Sequence, residues 1–281
     1  MKIIKSASEF IDWRRAVASS VGFTPTMGAL HDGHFSLIKS SKKNCSKTVV
    51  SIFINPTQFS PNEDLSSYPS TLNADIKTLK KFKTDILFLP TKKEMYEKVS
   101  SVQIKPTGLF TKLEGSSRPH FFHGVATIVA KLFNVVQPTH TFFGEKDAQQ
   151  LRVIKQLINN MNYNIFLISC PTIRNQEGLA LSSRNIYLSK KEQQEAANFY
   201  KSLLLIKSAL DCGETDSKIL KDLFKKNINI YKNIKLDYIS IALSNGLKEV
   251  VKVGSQKILV SSAIYYKNVR LIDNFTYLSS T

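Results

Sequence analysis

Along the first 170 positions, short apolar runs alternate with stretches in which apolar residues recur at every third or fourth place. Residues 21–26, 48–55 (TVVSIFIN), 85–89 (DILFL), 141–143 and 164–169 (NIFLIS) are brief and rich in β-branched or aromatic side chains. That is the pattern of strands buried on both faces. Between them, residues 6–18, 34–43, 72–82, 125–136 and 148–160 carry apolar residues at three- and four-residue spacing and are bounded by Gly, Pro, Asn or Ser, which predicts helices. Strands separated by helices imply βαβ units and an α/β fold, a doubly wound Rossmann-like parallel sheet. In such a sheet ligands gather at the carboxyl ends of the strands.

After about residue 171 the pattern changes. A long helical stretch at 190–210 leads through Cys212-Gly213 to a second at 216–227, followed by strand-like runs at 236–243 and 257–262. A second, smaller α+β domain is expected, acting as a C-terminal lid, with the division at 1–172 and 173–281. Internal repeats and disordered linkers are not evident.

Composition narrows the class. A chain of 281 residues, 42% hydrophobic, has enough apolar material for one large or two ordinary domains. No apolar run approaches the roughly 20 residues that cross a bilayer, and the first residues, MKIIKSASEFIDWRR, carry charges where a signal peptide needs an apolar core. A cytoplasmic protein with no membrane partner is expected. Cys45, Cys170 and Cys212 are far apart and show no CxxC or Cys/His spacing, so neither a disulfide framework nor a zinc site is suggested. The formal charge of +17 raises nucleic acid as a partner. The lysines are dispersed at helix-like polar positions, however, without a basic tail or an aromatic-interleaved stripe, and a solvated lysine-rich surface is favoured over a nucleic-acid face.

The chemistry-bearing residues fall where the predicted strands end. Pro25 to His34, PTMGALHDGH, follows the first core strand and places His31 and His34 at the opening of a helix. Such a helix start offers unpaired N–H groups and partial positive charge, to which imidazoles add donors for phosphate oxygens. A zinc site would need a third ligand of the HExxH kind, and none is near. The second strand ends at Asn55-Pro56-Thr57-Gln58, which on its own is turn chemistry, but Gln58 can both donate to and accept from a small hydroxy acid. The fourth ends at Gly144-Glu145-Lys146-Asp147: a capped helix on the bland reading, a nucleotide-binding turn on the sharper one. Segments 112–119 and 178–185 each add hydroxyls and a guanidinium, equipment for steadying phosphorus and departing pyrophosphate. Four of the five histidines, His31, His34, His120 and His123, lie in these loops.

The stretches PTMGALHDGHFSL, FINPTQF, LEGSSRP, VQPTHTFFGEKDAQQL and GLALSSRNIYLS, in this order and over nearly the whole chain, resemble the pantothenate synthetase (pantoate:β-alanine ligase) family of the HxGH nucleotidylyltransferase superfamily. The resemblance implies that Met27, Gly28, Ala29, Leu30, His31, Asp32, Gly33 and His34 wrap ATP, with His34 a proton donor. It implies ATP contacts from Gly144, Glu145, Lys146, Asp147, Ile173, Leu181, Ser182, Ser183 and Arg184, with His31, His34, Lys146 and Arg184 as the catalytic set. Gln58 and Gln150 would bind pantoate, Asn55 would join the substrate pocket for pantoate and β-alanine, and Asp75 would help hold Mg2+. The implied reaction activates (R)-pantoate with ATP and passes its acyl group to β-alanine, in a homodimer.

The chain departs from the family pattern at Phe121, where relatives carry histidine, at Ser70, where they carry arginine, and at Ala148, where they carry an aromatic residue. His120 and His123 therefore receive no role from the resemblance. The rival enzyme class is another adenylyl-transferring member of the superfamily, opposed by NPTQF and KDAQQ. A basic RNA-binding module is the rival outside enzymes, opposed by His31, His34, Lys146 and Arg184.

Overall fold

The computed structural model describes residues 1–60, 63–96 and 102–279. The chain divides into two compact units, Met1–Glu145 with Gln149–Pro171, and Lys146–Ala148 with the chain from Thr172 on.

The first unit runs β1 (Lys2–Ile4), α1 (Ala7–Arg15), β2 (Val21–Thr26), α2 (Asp32–Asn44), β3 (Lys47–Ile52), α3 (Leu72–Lys81), β4 (Ile86–Phe88), the short helical turns α4 (Lys92–Met95) and α5 (Glu114–Ser117), α6 (Phe121–Val136), β5 (His140–Gly144), α7 (Ala148–Asn160) and β6 (Phe166–Cys170). The six strands form one sheet in the order β1-β4-β3-β2-β5-β6, and every pairing is parallel. Alternate residues of a strand face opposite layers, and here both layers are apolar. Val49, Phe88 and Phe143 join Phe10, Phe133 and Leu157 on the side of α1, α6 and α7. Val50 and Leu87 join Ile38 and Leu79 on the side of α2 and α3, and Phe142 joins Leu37 there. Helices on both faces make the sheet doubly wound.

The strand order also locates the crevice. From β2 the chain builds outward through β3 and β4, then restarts on the other side with β5 and β6. The direction of winding therefore reverses between β2 and β5, and a reversal of this kind leaves an opening above the carboxyl ends of the two strands.

Two features of this unit differ from the sequence expectation. A sixth strand, β1, pairs with β4 through Lys2↔Ile86; three residues with one buried side chain are too short to show a pattern. Helix α2 begins at Asp32, ahead of the expected start at 34, because His31 serves as its N-cap.

The second unit contains α8 (Lys190–Ala196), α9 (Asn198–Asp211), α10 (Ser217–Ile228) and an antiparallel sheet of β7 (Ile234–Leu243), β8 (Ile258–Tyr266) and β9 (Val269–Tyr277) in that order. Phe199, Leu203, Ile206, Phe224, Ile241, Val260 and Ile264 build its separate core. The helix expected at 190–210 is interrupted at Ala197, where Tyr200 donates to the Ala197 carbonyl in a tighter turn. β9 was not expected because Arg270 and Asp273 break its apolar run, and each is paired: the Arg270 guanidinium holds Asp237 at 2.6 Å, and Arg174 holds Asp273. Among the described residues no helix is long and apolar enough to cross a membrane.

Asp273 is the most deeply placed charge of this unit. Its side chain is 1% exposed, and both oxygens receive Arg174, at 2.6 and 2.8 Å. Burial pushes its carboxyl up, and Arg174 opposes that push. Removing one member of such a pair strands the other in the interior. Asp273→Asn, which keeps the shape, is expected to lower stability by about 3–5 kcal/mol, read by chemical denaturation; a loss below about 1 kcal/mol would show that the pair is dispensable.

Candidate active site

The chain leaves β2 through a turn that only particular backbone conformations allow. Gly28 has φ of 86° and Ala29 φ of 50°, both left-handed, a conformation disfavoured for alanine by on the order of 1 kcal/mol. The strain is offset by one carboxylate. Asp75, in the first turn of α3 and 4% exposed, accepts from the Ala29 amide at 3.0 Å, from the Leu30 amide at 3.0 Å and from the Thr71 hydroxyl at 3.1 Å. A side chain at Gly28 would approach Ile52 to 3.2 Å and Asp75 to 3.4 Å, so the turn is closed on its inner side. Asp75 is thus spent on the loop that precedes the histidines. No group of three His, Cys, Asp or Glu suited to a metal ion occurs among the described residues.

His31 and His34 are part of the helix end itself. The His31 Nδ1 accepts from the Gly33 amide at 3.1 Å, and the His34 Nδ1 accepts from the His31 amide at 3.3 Å, a reciprocal capping box made by two imidazoles. Their ring centres lie 4.1 Å apart. An Nδ1 that accepts carries no proton, so in each neutral ring the hydrogen resides on Nε2. Both rings therefore turn a donor edge away from the helix they cap, beside the positive end of its dipole.

The turn after β3 is held from several directions. Asn55 is 1% exposed; its Nδ2 donates to the Gly124 carbonyl at 3.1 Å, and its Oδ1 accepts from the Tyr96 hydroxyl at 2.8 Å and the Thr57 hydroxyl at 3.0 Å. Asn55, expected at the substrate pocket, is held in one orientation by these bonds and braces the turn. The brace fixes the short helical turn Pro56–Gln58. Gly124 of α6 presses against it so closely that an added Cβ would meet the Thr57 carbonyl oxygen at 2.4 Å. Arg118 donates to the Gln58 carbonyl at 3.0 Å, grips Glu63 with two bonds of 2.6 Å, and lays its guanidinium 3.9 Å from the centre of the Phe121 ring. The Gln58 side-chain amide has no hydrogen-bond partner among the described residues, so its backbone is fixed while its functional end is uncommitted.

After β5 the two glutamines of the KDAQQ stretch part company. Gln149 is buried and bridges the Lys112 carbonyl, at 2.8 Å, and the Glu114 amide, at 3.0 Å. Gln150 is half-buried, with no side-chain bond among the described residues. At Gly144 an added Cβ would meet nothing within 4 Å, which leaves room beside the backbone where the sheet reverses. His120 and His123 lie at the start of α6, away from the β2 turn in sequence; desolvation, then Lys105 and His120, hold the His123 pKa below its ordinary value.

In the second unit, a hairpin carries the other expected residues. Ile173 and Leu181 face each other through the Leu181 amide and the Ile173 carbonyl at 2.9 Å. Ser182 caps the turn Ser183–Tyr187, accepting from the Arg184 amide at 3.3 Å, while its own amide donates to Asn185 at 2.7 Å. Lys146 places its Nζ 3.4 Å from Asp147, and its carbonyl accepts from Asn274 at 2.8 Å.

Sequence reasoning missed Arg174, Asp273 and Asn274 and the anchoring work of Asp75 and Arg118. A signal existed for one of them: Asp273 interrupts the apolar alternation Val269-Leu271-Phe275-Tyr277, as a buried polar residue with a task does.

The chain is 43% identical over 277 residues to the pantothenate synthetase of Thermosipho africanus, covering 98% of this chain and 99% of that one. It is 45% identical over 270 residues to that of Enterococcus faecalis, covering 96% and 95%. The crystal structure of pantothenate synthetase from Thermus thermophilus superposes with a TM-score of 0.91 at 34% identity, covering 98% and 99%. That of the Francisella tularensis ligase complexed with β-γ ATP and β-alanine superposes with a TM-score of 0.80 at 36% identity, covering 100% and 98%. The family model described as pantoate-beta-alanine ligase matches residues 2–276, and the chain, with its histidine-capped helix at the reversal of a parallel sheet, belongs to that family.

Proposed function

We propose that the protein is an ATP-dependent ligase that condenses (R)-pantoate with β-alanine to pantothenate, through a pantoyl adenylate. The observation that carries this reading is positional. The His31–His34 turn, the Pro56–Gln58 turn and Gly144 all stand at the carboxyl ends of adjacent parallel strands, β2, β3 and β5, around the reversal of the sheet. In the first step a pantoate carboxylate oxygen attacks the α-phosphorus of ATP and pyrophosphate leaves. In the second the amine of β-alanine attacks the acyl carbon, and AMP leaves with the bonding pair of the broken C–O bond.

Each group has a task that its geometry suits. The Nε2–H edges of His31 and His34 donate to phosphate oxygens, with the end of α2 adding amides and partial positive charge. Gln58 and Gln150 orient pantoate, whose hydroxyls and carboxylate need both donors and acceptors, and orientation converts a rare encounter into a near-attack geometry. Lys146 and Arg184 offset charge on the departing pyrophosphate. Met27 to Leu30, Glu145, Asp147, Ile173 and Leu181 to Ser183 line the ATP by backbone approach. The family reading extends to a cytoplasmic homodimer, for which sedimentation of the purified protein is the check.

Magnesium does not fit at Asp75. Its carboxylate is buried and already accepts from two amides and a hydroxyl, so it is the post on which the ATP-wrapping turn hangs. Magnesium that arrives with ATP would be carried by the nucleotide's own phosphates and would offset their charge. Asp75→Asn is expected to slow adenylation roughly tenfold or more by loosening the turn, with no recovery as Mg2+ is raised; recovery at high Mg2+ would return Asp75 to the metal.

The reaction is tested by ATP–pyrophosphate exchange on the purified protein. Exchange should require pantoate and proceed without β-alanine; support by a different acid and none by pantoate would overturn the substrate assignment. His34→Ala should lower the adenylation rate by about 10²–10⁴-fold, the range for a positioned catalytic group. A near-normal rate would leave His34 as a helix cap and nothing more.

A further inference from the structure

Lys146 belongs, by its packing, to the second unit, although the chain reaches it from β5 of the first. The hydrogen bonds explain how it is held there. Its carbonyl oxygen accepts from the Asn274 Nδ2 at 2.8 Å. The Asn274 backbone amide in turn donates to the Asp273 Oδ1 at 2.8 Å. Asp273 is held by the two arms of Arg174, at 2.6 and 2.8 Å. Arg174 also donates to the Gly178 carbonyl at 3.1 Å and stacks 3.3 Å from the centre of the Tyr200 ring.

Arg174 also pairs across its hairpin with Ala180, two residues before the Ser182 cap of the Arg184 turn. One buried carboxylate thus touches, through one intermediary each, the backbone of Lys146 and the hairpin that leads to Arg184. A bidentate guanidinium–carboxylate pair fixes both members in direction as well as distance. A lysine side chain, by contrast, has four rotatable bonds and positions its charge only as well as its backbone is positioned.

We propose that Asn274 is a positioning residue for Lys146: anchored on the Arg174–Asp273 pair, it holds the Lys146 backbone so that the ammonium meets the phosphates of ATP during adenylation. The proposal rests on the reading of Lys146 as a phosphate-facing cation. In this role Asn274 acts through the Lys146 carbonyl and not on the substrate.

The test is a single-turnover measurement of pantoyl adenylate formation at saturating ATP and pantoate. Its amplitude counts correctly folded sites, and its rate constant reports the chemistry. Asn274→Ala removes the donor; Asn274→Asp is the isosteric second variant, which faces the Lys146 carbonyl with an acceptor. Both should keep the amplitude per folded protein and lower the rate constant by about 10- to 100-fold, as a misplacement of about 1 Å does. Lys146→Ala should be slowed at least as much. If Lys146→Ala forms adenylate at the unmodified rate, the phosphate role of Lys146 is wrong. If Lys146→Ala is slow while either Asn274 variant is fast, Lys146 keeps its role and the positioning claim falls. If the Asn274 variants lose amplitude but keep the rate constant, Asn274 is merely structural and the proposal is overturned.

Discussion

Two backbone amides donating to one buried carboxylate set the course of the chain out of β2. Without Asp75 facing the Ala29 and Leu30 amides, the left-handed pair Gly28-Ala29 would have no reason to persist, since extended or right-handed backbone is cheaper for alanine. The turn matters because it swings the chain from the central strand into α2 within six residues and delivers His31 as the cap. A carboxylate suits the task because it can receive several donors at once and, being buried, meets little competition from water.

The second unit repeats the device with different parts. There Asp273 receives a guanidinium and an amide, and the segments it steadies are the ones that carry Lys146 and Arg184. Glu63 does comparable work for Arg118 and the Gln58 turn. In a chain with 39 basic and 22 acidic residues, acids are scarce; Asp75 and Asp273 are committed to buried bonds and Glu63 to a half-buried one. Surface ion pairs such as Lys207–Asp211 are worth little in water. The excess of lysine charge consequently faces solvent.

The parallel sheet was legible because its strands are apolar on both faces, and a run such as TVVSIF has no other comfortable place. The motif turns were legible because Gly, Pro, Asn and His sit where apolar runs stop. What escaped was whatever depends on partners distant in sequence. Asn55 and Gln58 look alike as amides at a strand end, yet the first is bonded to Gly124, Thr57 and Tyr96 while the second has no side-chain hydrogen bond among the described residues. Gln149 and Gln150 are adjacent, and only the angular step of a helix decides which one faces Lys112. β9 was hidden because Arg270 and Asp273, paired with residues on another strand and on a hairpin, count as breaks in hydrophobic periodicity.

The imidazole cap of α2 has a consequence for binding thermodynamics. Serine or asparagine caps carry their polar atoms close together, so a bond to the helix occupies much of the group. Imidazole carries its nitrogens on opposite edges of a rigid ring, and in His31 and His34 one edge is fastened to the backbone. Fastening that edge freezes the rotation of the other. The entropy of aiming two donors is thus lost once, when the helix forms, and a ligand arriving later meets rings whose orientation it does not have to select.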